Sequence, residues 1–318
     1  MLSPASRTPC AWLLVVACIA TQPALVRAQA TPPYLLEWQI PQLSGGVNSP
    51  YCVATSADGN IYVTDQTNHR VIVFSSFGAP LNAWDVPAIP AEFVPSPIGI
   101  AISEPATVYV VAGQSVNAYT KTGTLNLVIG AGQMGKPRGV AVTPEGNLLV
   151  TDPERGSIHK FGADGTYLGA LGVGIVKEPI GITVDQDGTI YVSDENPGLD
   201  CVFQLTPSGS LLAKWGEPGG GPQQFNGPAG LCIDPSHNLF VTDHSNSRIQ
   251  MLSLSGTFLG AWSYAGSGQT LGVPLDVAAD KFGQLYVSDS AGGRIIVYGA
   301  APVFTARVSW AALKAKFH

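Results

Sequence analysis

Three aspartate–arginine pairs stand five residues apart: Asp65 and Arg70, Asp243 and Arg248, Asp289 and Arg294. A carboxylate can move a proton, hold a hard cation, or pair with a forked guanidinium. Repetition decides between these uses. A catalytic acid is needed once, whereas a brace is needed each time the same loop is built. The pairs are therefore expected to hold loops, with the aspartate accepting N–H bonds from the loop and the arginine forking back to it.

The other chemistry-bearing residues do not converge by spacing. His69, His159, His237, His244 and His318 are scattered over loops, a strand and the terminus, and read as solvated. A zinc site needs converging nitrogen, sulfur or oxygen ligands, and the chain has neither a CxxC pair nor zinc spacing. No GxSxG nucleophile motif is present. Asp185 and Asp234 end apolar runs, and Asp185 reads as turn. Asp276 alone lies two residues after a proline where matching positions hold Cys52, Gly99, Gly139, Gly181 and Gly230. One inward aspartate does not make the oxygen cage that calcium needs. No cofactor is expected, and calcium is an option without a ligand cluster.

These residues sit on a repeat. Pro50, Pro97, Pro137, Pro179, Pro228 and Pro274 are each followed, fifteen residues on, by the end of a short β-branched run. That last residue is Asp65, Ala112, Asp152, Asp194, Asp243 or Asp289. The copies start 47, 40, 42, 49 and 46 residues apart. Each holds a buried apolar strand such as 139–142, a Pro-Glu-Gly-Asn turn or its like, a return strand such as 148–151, and an alternating strand such as 157–161. An Asp-Gly or similar hairpin signal and a fourth strand such as 167–171 follow. Short strands at a period of forty-odd residues predict an all-β, six-bladed β-propeller of four-stranded blades. Only five fourth strands follow their copies. The missing one is predicted at Tyr34–Trp38, paired with 294–298 of the last blade to close the ring.

Composition bounds the rest. Residues 1–30 read as a secretory signal, with Arg7, an apolar run too short to span a bilayer, and a small-x-small site at Ala28-Gln29-Ala30. A minority alternative is a lipid anchor at Cys18, after Val15-Val16-Ala17. Residues 31–299 would be the propeller and 300–318 a tail. In that tail Trp310, Leu313, Lys314 and Phe317 form an amphipathic stripe of a short helix. The expected location is secreted or periplasmic, with no later transmembrane segment. Removing the leader takes the net charge from −6 to about −8, which argues against a nucleic-acid partner. Cys52, Cys201 and Cys232 would remain. They read as buried thiols, with a Cys201–Cys232 bridge left open.

The copies resemble NHL repeats over residues 35–298. The pattern is Pro-x-Gly-apolar, Val-Ser/Thr-Asp and Asn-x-Arg-apolar, standing here as Pro228-Ala229-Gly230-Leu231, Val241-Thr242-Asp243 and Asn246-Ser247-Arg248-Ile249. Asn68-His69-Arg70-Val71 and Gly292-Gly293-Arg294-Ile295 repeat its third part. The resemblance implies the propeller but not one activity, since similar folds serve as binding modules and as unrelated enzymes. Amidating lyases of this kind carry zinc-binding histidines directly after the repeat proline, where this chain has Tyr51, Ile98, Arg138, Ile180, Ala229 and Leu275. Lactonase-like propellers hold a channel calcium on acids and amides. The expected function is therefore a non-catalytic, extracytoplasmic, monomeric binding platform for protein, peptide or glycan. The alternative is a secreted metal-dependent hydrolase or lyase with a site at the channel mouth. Candidate ligand-binding residues are Tyr51, Ile98, Arg138, Ile180, Leu275 and Asp276 at the mouth, with Asn68, Arg70, Asn246, Arg248 and Arg294 on the loop face. Arg138 is the sharpest candidate, because a guanidinium in an apolar ring must find an anion or reach water.

Overall fold

The computed structural model describes residues 34–40, 49–87, 96–266 and 269–300, all within the unit Thr31–His318. The expected leader and lipid-anchor site lie outside the described residues, as does the tail from 301 onward. Among the described residues are six antiparallel sheets of four strands, arranged as the blades of a propeller. Their innermost strands are Pro50–Thr55, Pro97–Ser103, Val140–Val142, Pro179–Val184, Pro228–Ile233 and Pro274–Ala279. In five blades the strands follow chain order from the channel outward. In the last, Tyr34–Ile40 pairs antiparallel with Arg294–Ala300, from Tyr34 opposite Ala300 to Ile40 opposite Ile295, with an irregularity between Leu36 and Trp38.

Burial explains the residue pattern. The second strands Ile61–Asp65, Leu148–Asp152, Ile190–Asp194 and Leu285–Asp289 are buried throughout, so they read as continuous runs rather than as an alternation. Fourth strands such as Leu211–Trp215 are largely exposed until their last residue. The turns follow the expected chemistry: Gly146 N–H donates to Thr143 O, and Thr143 N–H to Asn147 O. Asp185, Asp234 and Asp280 each accept two N–H bonds from their own turn, which accounts for these acids without a ligand.

The blades are joined by a residue type that the sequence pattern displays without explaining. The hydroxyl before each strand-ending aspartate donates to the backbone oxygen one residue after the next blade's proline. Thr64 reaches Ile98 O at 3.1 Å, Thr151 reaches Ile180 O at 2.7 Å, and Ser193 reaches Ala229 O at 2.5 Å. Thr242 reaches Leu275 O at 3.1 Å, and Ser288 joins the last blade to the first through Tyr51 O at 2.7 Å. The strands meet so closely that a Cβ at Gly181 would overlap Ala229 O. That close approach is why the repeat asks for glycine there.

The seam between the second and third blades lacks this hydroxyl, because the position holds Val111, fully buried. Threonine has nearly the same shape and could donate to Arg138 O. Val111→Thr is expected to add about 1 kcal/mol of stability, read as a rise in Tm of roughly 2 °C. A fall in Tm would mean that this seam cannot seat the bond made at the other five.

Candidate functional site at the channel mouth

In five blades the repeat proline opens the innermost strand, and in the third Pro137 precedes Val140–Val142 by three residues. The residue after each proline therefore stands near the start of that strand, at one end of the central channel. The channel has a volume of about 300 Å3 and is lined by innermost strands of all six blades. Tyr51, Arg138, Ile180, Ala229, Leu275 and Asp276 contribute to its wall. Ile98 does not. It is 8% exposed and packs in the cluster with Val111 and Val140 that Tyr51 also joins. Of the six candidate mouth residues, Ile98 is thus placed in this cluster and the other five in the channel wall.

Arg138 is not left to water. Its Nη1 donates to the Tyr51 hydroxyl at 2.5 Å, from the third blade to the first. Burial pushes the Tyr51 phenol above its ordinary range; the Arg138 charge pulls it down, while Cys52 and Glu195 push it up. Glu195 is thus within electrostatic reach of Tyr51, although it does not line the channel. Its Oε2 lies 3.8 Å from His244 Nε2, a separation for ionic attraction rather than a hydrogen bond. His244 directly follows Asp243, as Glu195 follows Asp194, so both stand one step past the strand ends. Gly227 makes room for the imidazole, since a Cβ there would strike the ring. His244 was expected to be solvated; it is instead half-buried beside the Glu195 carboxylate.

Below the mouth, Asp276 is half-buried and lines the channel. Its Oδ2 accepts the Val53 N–H at 3.0 Å. Burial pushes the carboxyl up to about 7, against hydrogen bonds from Val53 N–H, the Cys52 thiol and Val277 N–H. Burial likewise raises the Cys52 thiol well above its ordinary value, and the neighbouring Asp276 charge adds to this. An unfolded aspartate ionises near pH 4, so between about pH 4 and 7 the folded protein binds the extra proton. Stability should then fall as pH rises through that window, by at most roughly 4 kcal/mol. Asp276→Asn should flatten the slope, as measured by denaturant melts from pH 4 to 8. An unchanged slope in the variant would assign the dependence to other groups.

The loop-face candidates are engaged within the scaffold. Arg70, Arg248 and Arg294 donate through Nε to Asp65, Asp243 and Asp289 at 3.1, 2.7 and 2.9 Å. Arg248 also binds the backbone oxygens of Gly220, Gly221 and Gln224, and Arg294 that of Thr270. Asn68 donates to Asp65, and Asn246 to Asp243 and Gly219 O. The expected brace is present, with one addition. Asp152, Asp194 and Asp289 also accept N–H groups 16 and 17 residues upstream, just ahead of their own repeat proline. The aspartate thus clamps the segment leading into the channel strand.

In the third blade Ser157 stands where the first, fifth and sixth have arginine, and His159, two residues further on, reaches the aspartate instead. The imidazole is buried, against the solvated reading, and its Nε2 lies 3.1 Å from Asp152 Oδ2. Burial would raise the Asp152 carboxyl, but hydrogen bonds from His159 and from the Gly135 and Lys136 N–H groups outweigh it and hold the group at about 2. The three described cysteines are free thiols, so Cys201 and Cys232 are not bridged. No group of three or more metal-ligating side chains occurs among the described residues.

Comparison with known proteins agrees with this architecture. The NHL repeat profile matches residues 48–74, 134–161 and 225–251, in the first, third and fifth blades, and the chain carries NHL repeats as the resemblance implied. The human E3 ubiquitin-protein ligase NHLRC1 is 32% identical over 108 residues, which is 33% of this chain. The match spans only 27% of that relative's length. A Bacteroides thetaiotaomicron protein of unknown function superposes with a TM-score of 0.64 at 18% identity, over 79% of this chain and 69% of its own. A streptogramin B lyase superposes with a TM-score of 0.62 at 16% identity, over 84% of this chain and 97% of its own. At these identities the two structures share the fold.

Proposed function

We propose that this protein is an extracytoplasmic binding platform that holds a carboxylate-bearing peptide or protein segment at the channel mouth. The observation that carries this reading is the Arg138–Tyr51 hydrogen bond. It fixes a guanidinium across blades, in a wall otherwise supplied at this level by Ile180, Ala229 and Leu275. A planar fork is suited to a carboxylate, and the apolar wall to a side chain beside it. The loop-face arginines support the same choice by being committed to their aspartates. The leader read in residues 1–30 supports export, with a lipid anchor at Cys18 as the variant form. The acidic net charge of −6 disfavours nucleic acid. Among the described residues no helix is long and apolar enough to cross a membrane.

Thermal melts test the ligand class. Short peptides with a free terminal carboxylate should raise Tm, and their amidated counterparts should not. Equal responses would set the carboxylate aside and favour a neutral ligand such as a glycan.

One observation favours a second reading, an enzyme. Glu195 and His244 form a carboxylate–imidazole pair of the kind that moves protons, and a streptogramin B lyase shares the fold. Elemental analysis separates the readings: one tightly bound calcium or zinc ion per purified chain would move the assignment to a metal-dependent hydrolase or lyase.

A further inference from the structure

The channel beneath the mouth has chemistry that carboxylate capture does not use. Asp276 occupies the position that is Gly99, Gly139, Gly181 or Gly230 in four other blades and Cys52 in the first. Those glycines exist because neighbouring strands touch, so a side chain here must fill either the seam or the channel. The Asp276 carboxylate does both. Its Oδ1 rests on Gly230, where an added Cβ would overlap it. Its Oδ2 is steered by the Val53 N–H toward the first blade. The group thus bridges the fifth, sixth and first blades while lining the open space.

The titratable or charged side chains that line the same space are Tyr51, Cys52, Arg138 and Cys232. Burial and the Asp276 charge keep both thiols protonated. Arg138 is bonded to Tyr51 at the mouth and is not among the groups that shift Asp276. The carboxylate therefore faces the channel space with no cation paired to it among the described residues. Most of the surrounding wall is aliphatic, including Ile100, Val140, Ile182, Leu231 and Val277. About 300 Å3 is the space of roughly ten waters. A metal ion would need several hard ligands at once, whereas an ammonium needs one carboxylate and a wall for its stem.

We propose that the channel binds a small primary alkylammonium group, with Asp276 as its counter-ion and the aliphatic wall around its chain. The group could be a free amine or the end of a lysine-like side chain entering from the mouth. This inference does not depend on Arg138 or on the carboxylate reading.

The test uses n-butylammonium chloride at pH 8, where the amine and Asp276 are both charged, against matched sodium chloride. Wild-type protein should show a saturable rise in Tm, weaker at pH 5, and Asp276→Asn should show none. A free butylamine and a short peptide ending in lysine distinguish the two sources by which binds more tightly. A Tm unchanged in the wild type, or raised equally in Asp276→Asn, overturns the proposal. Should the variant not fold, NMR of carboxyl-labelled aspartate in the wild type gives the answer. Butylammonium should move the Asp276 midpoint down by about one unit or more, as an opposite charge does. A midpoint that stays in place overturns the proposal as well. Arg138→Ala should leave the amine effect intact, so failure here and failure of carboxylate binding are read separately.

Discussion

Replacing Asp243 by alanine is expected to lower stability by about 3–5 kcal/mol, because it removes the counter-charge of a largely buried cation and the acceptor shared by three further donors. The Asp243 side chain is fully buried. It accepts Arg248 Nε at 2.7 Å, the Asn226 N–H at 2.7 Å, Asn246 Nδ2 at 2.9 Å and Gln250 Nε2 at 3.1 Å. Removing the acceptor leaves the Asn226 N–H without its partner and takes one bond each from Arg248, Asn246 and Gln250, with Arg248 only 14% exposed. Arg248→Ala should be milder, since Asp243 keeps its other three donors. Denaturant midpoints at constant m-value measure both. A loss below about 1 kcal/mol for Asp243→Ala would deny that the repeated aspartate is the clamp of its blade. Asp152, held at about 2, contributes stability that is complete above about pH 4 and is lost as pH falls toward 2.

The second large effect concerns the outer strand of the last blade. Deleting residues 31–40 should destabilise the propeller by on the order of 5 kcal/mol, from the loss of several ladder bonds to Arg294–Ala300 and the exposure of that strand's edge. Arg294–Ala300 would become an open edge, although Ile295, Ile296, Val297 and Tyr298 are at most 1% exposed in the intact protein. An open hydrophobic edge also invites pairing between molecules, so aggregation should rise with the loss. The ring itself keeps three inner links between last and first blades: Ser288 to Tyr51 O, Val53 N–H to Asp276, and Thr55 to Ala279 O. The shortened protein should therefore unfold at lower temperature but still in one transition. An unchanged melting curve would show that the strand contributes nothing to closure.

The fold was legible because each blade repeats its own evidence. The proline, the β-branched run and the turn glycine recur at fixed offsets, so a local reading made six times becomes a global one. The functions of Thr64, Thr151, Ser193, Thr242 and Ser288 were not legible in the same way. Their acceptors lie in the next blade, 29 to 36 residues downstream, or 237 residues away where the ring closes. Arg138 stood out by being charged in an apolar column, yet its partner Tyr51 is 87 residues away and announces nothing by spacing. Glu195 and His244 were missed because each follows a strand-ending aspartate and reads as ordinary loop. The repeat does supply a signal, since the residue after the aspartate bonds back to the residue before its own repeat proline, Glu195 N–H to Glu178 O and His244 N–H to Gly227 O. His159 was misread for a related reason. Its position is filled by Gln250 in the fifth blade, and both reach the clamped aspartate of their own blade.

The account's central claim is that Arg138 at the channel mouth is the ligand anchor. Calorimetric titration of a carboxylate-terminated peptide into wild type, Arg138→Ala and Lys136→Ala tests it most directly. Lys136 is on a neighbouring loop and 76% exposed, so its removal controls for net charge alone. The account predicts that Arg138→Ala weakens binding tenfold or more, as expected for loss of a charge-assisted bond of about 1.5–3 kcal/mol, while Lys136→Ala binds nearly as wild type. Equal affinity in wild type and Arg138→Ala would contradict it and move the site away from the mouth.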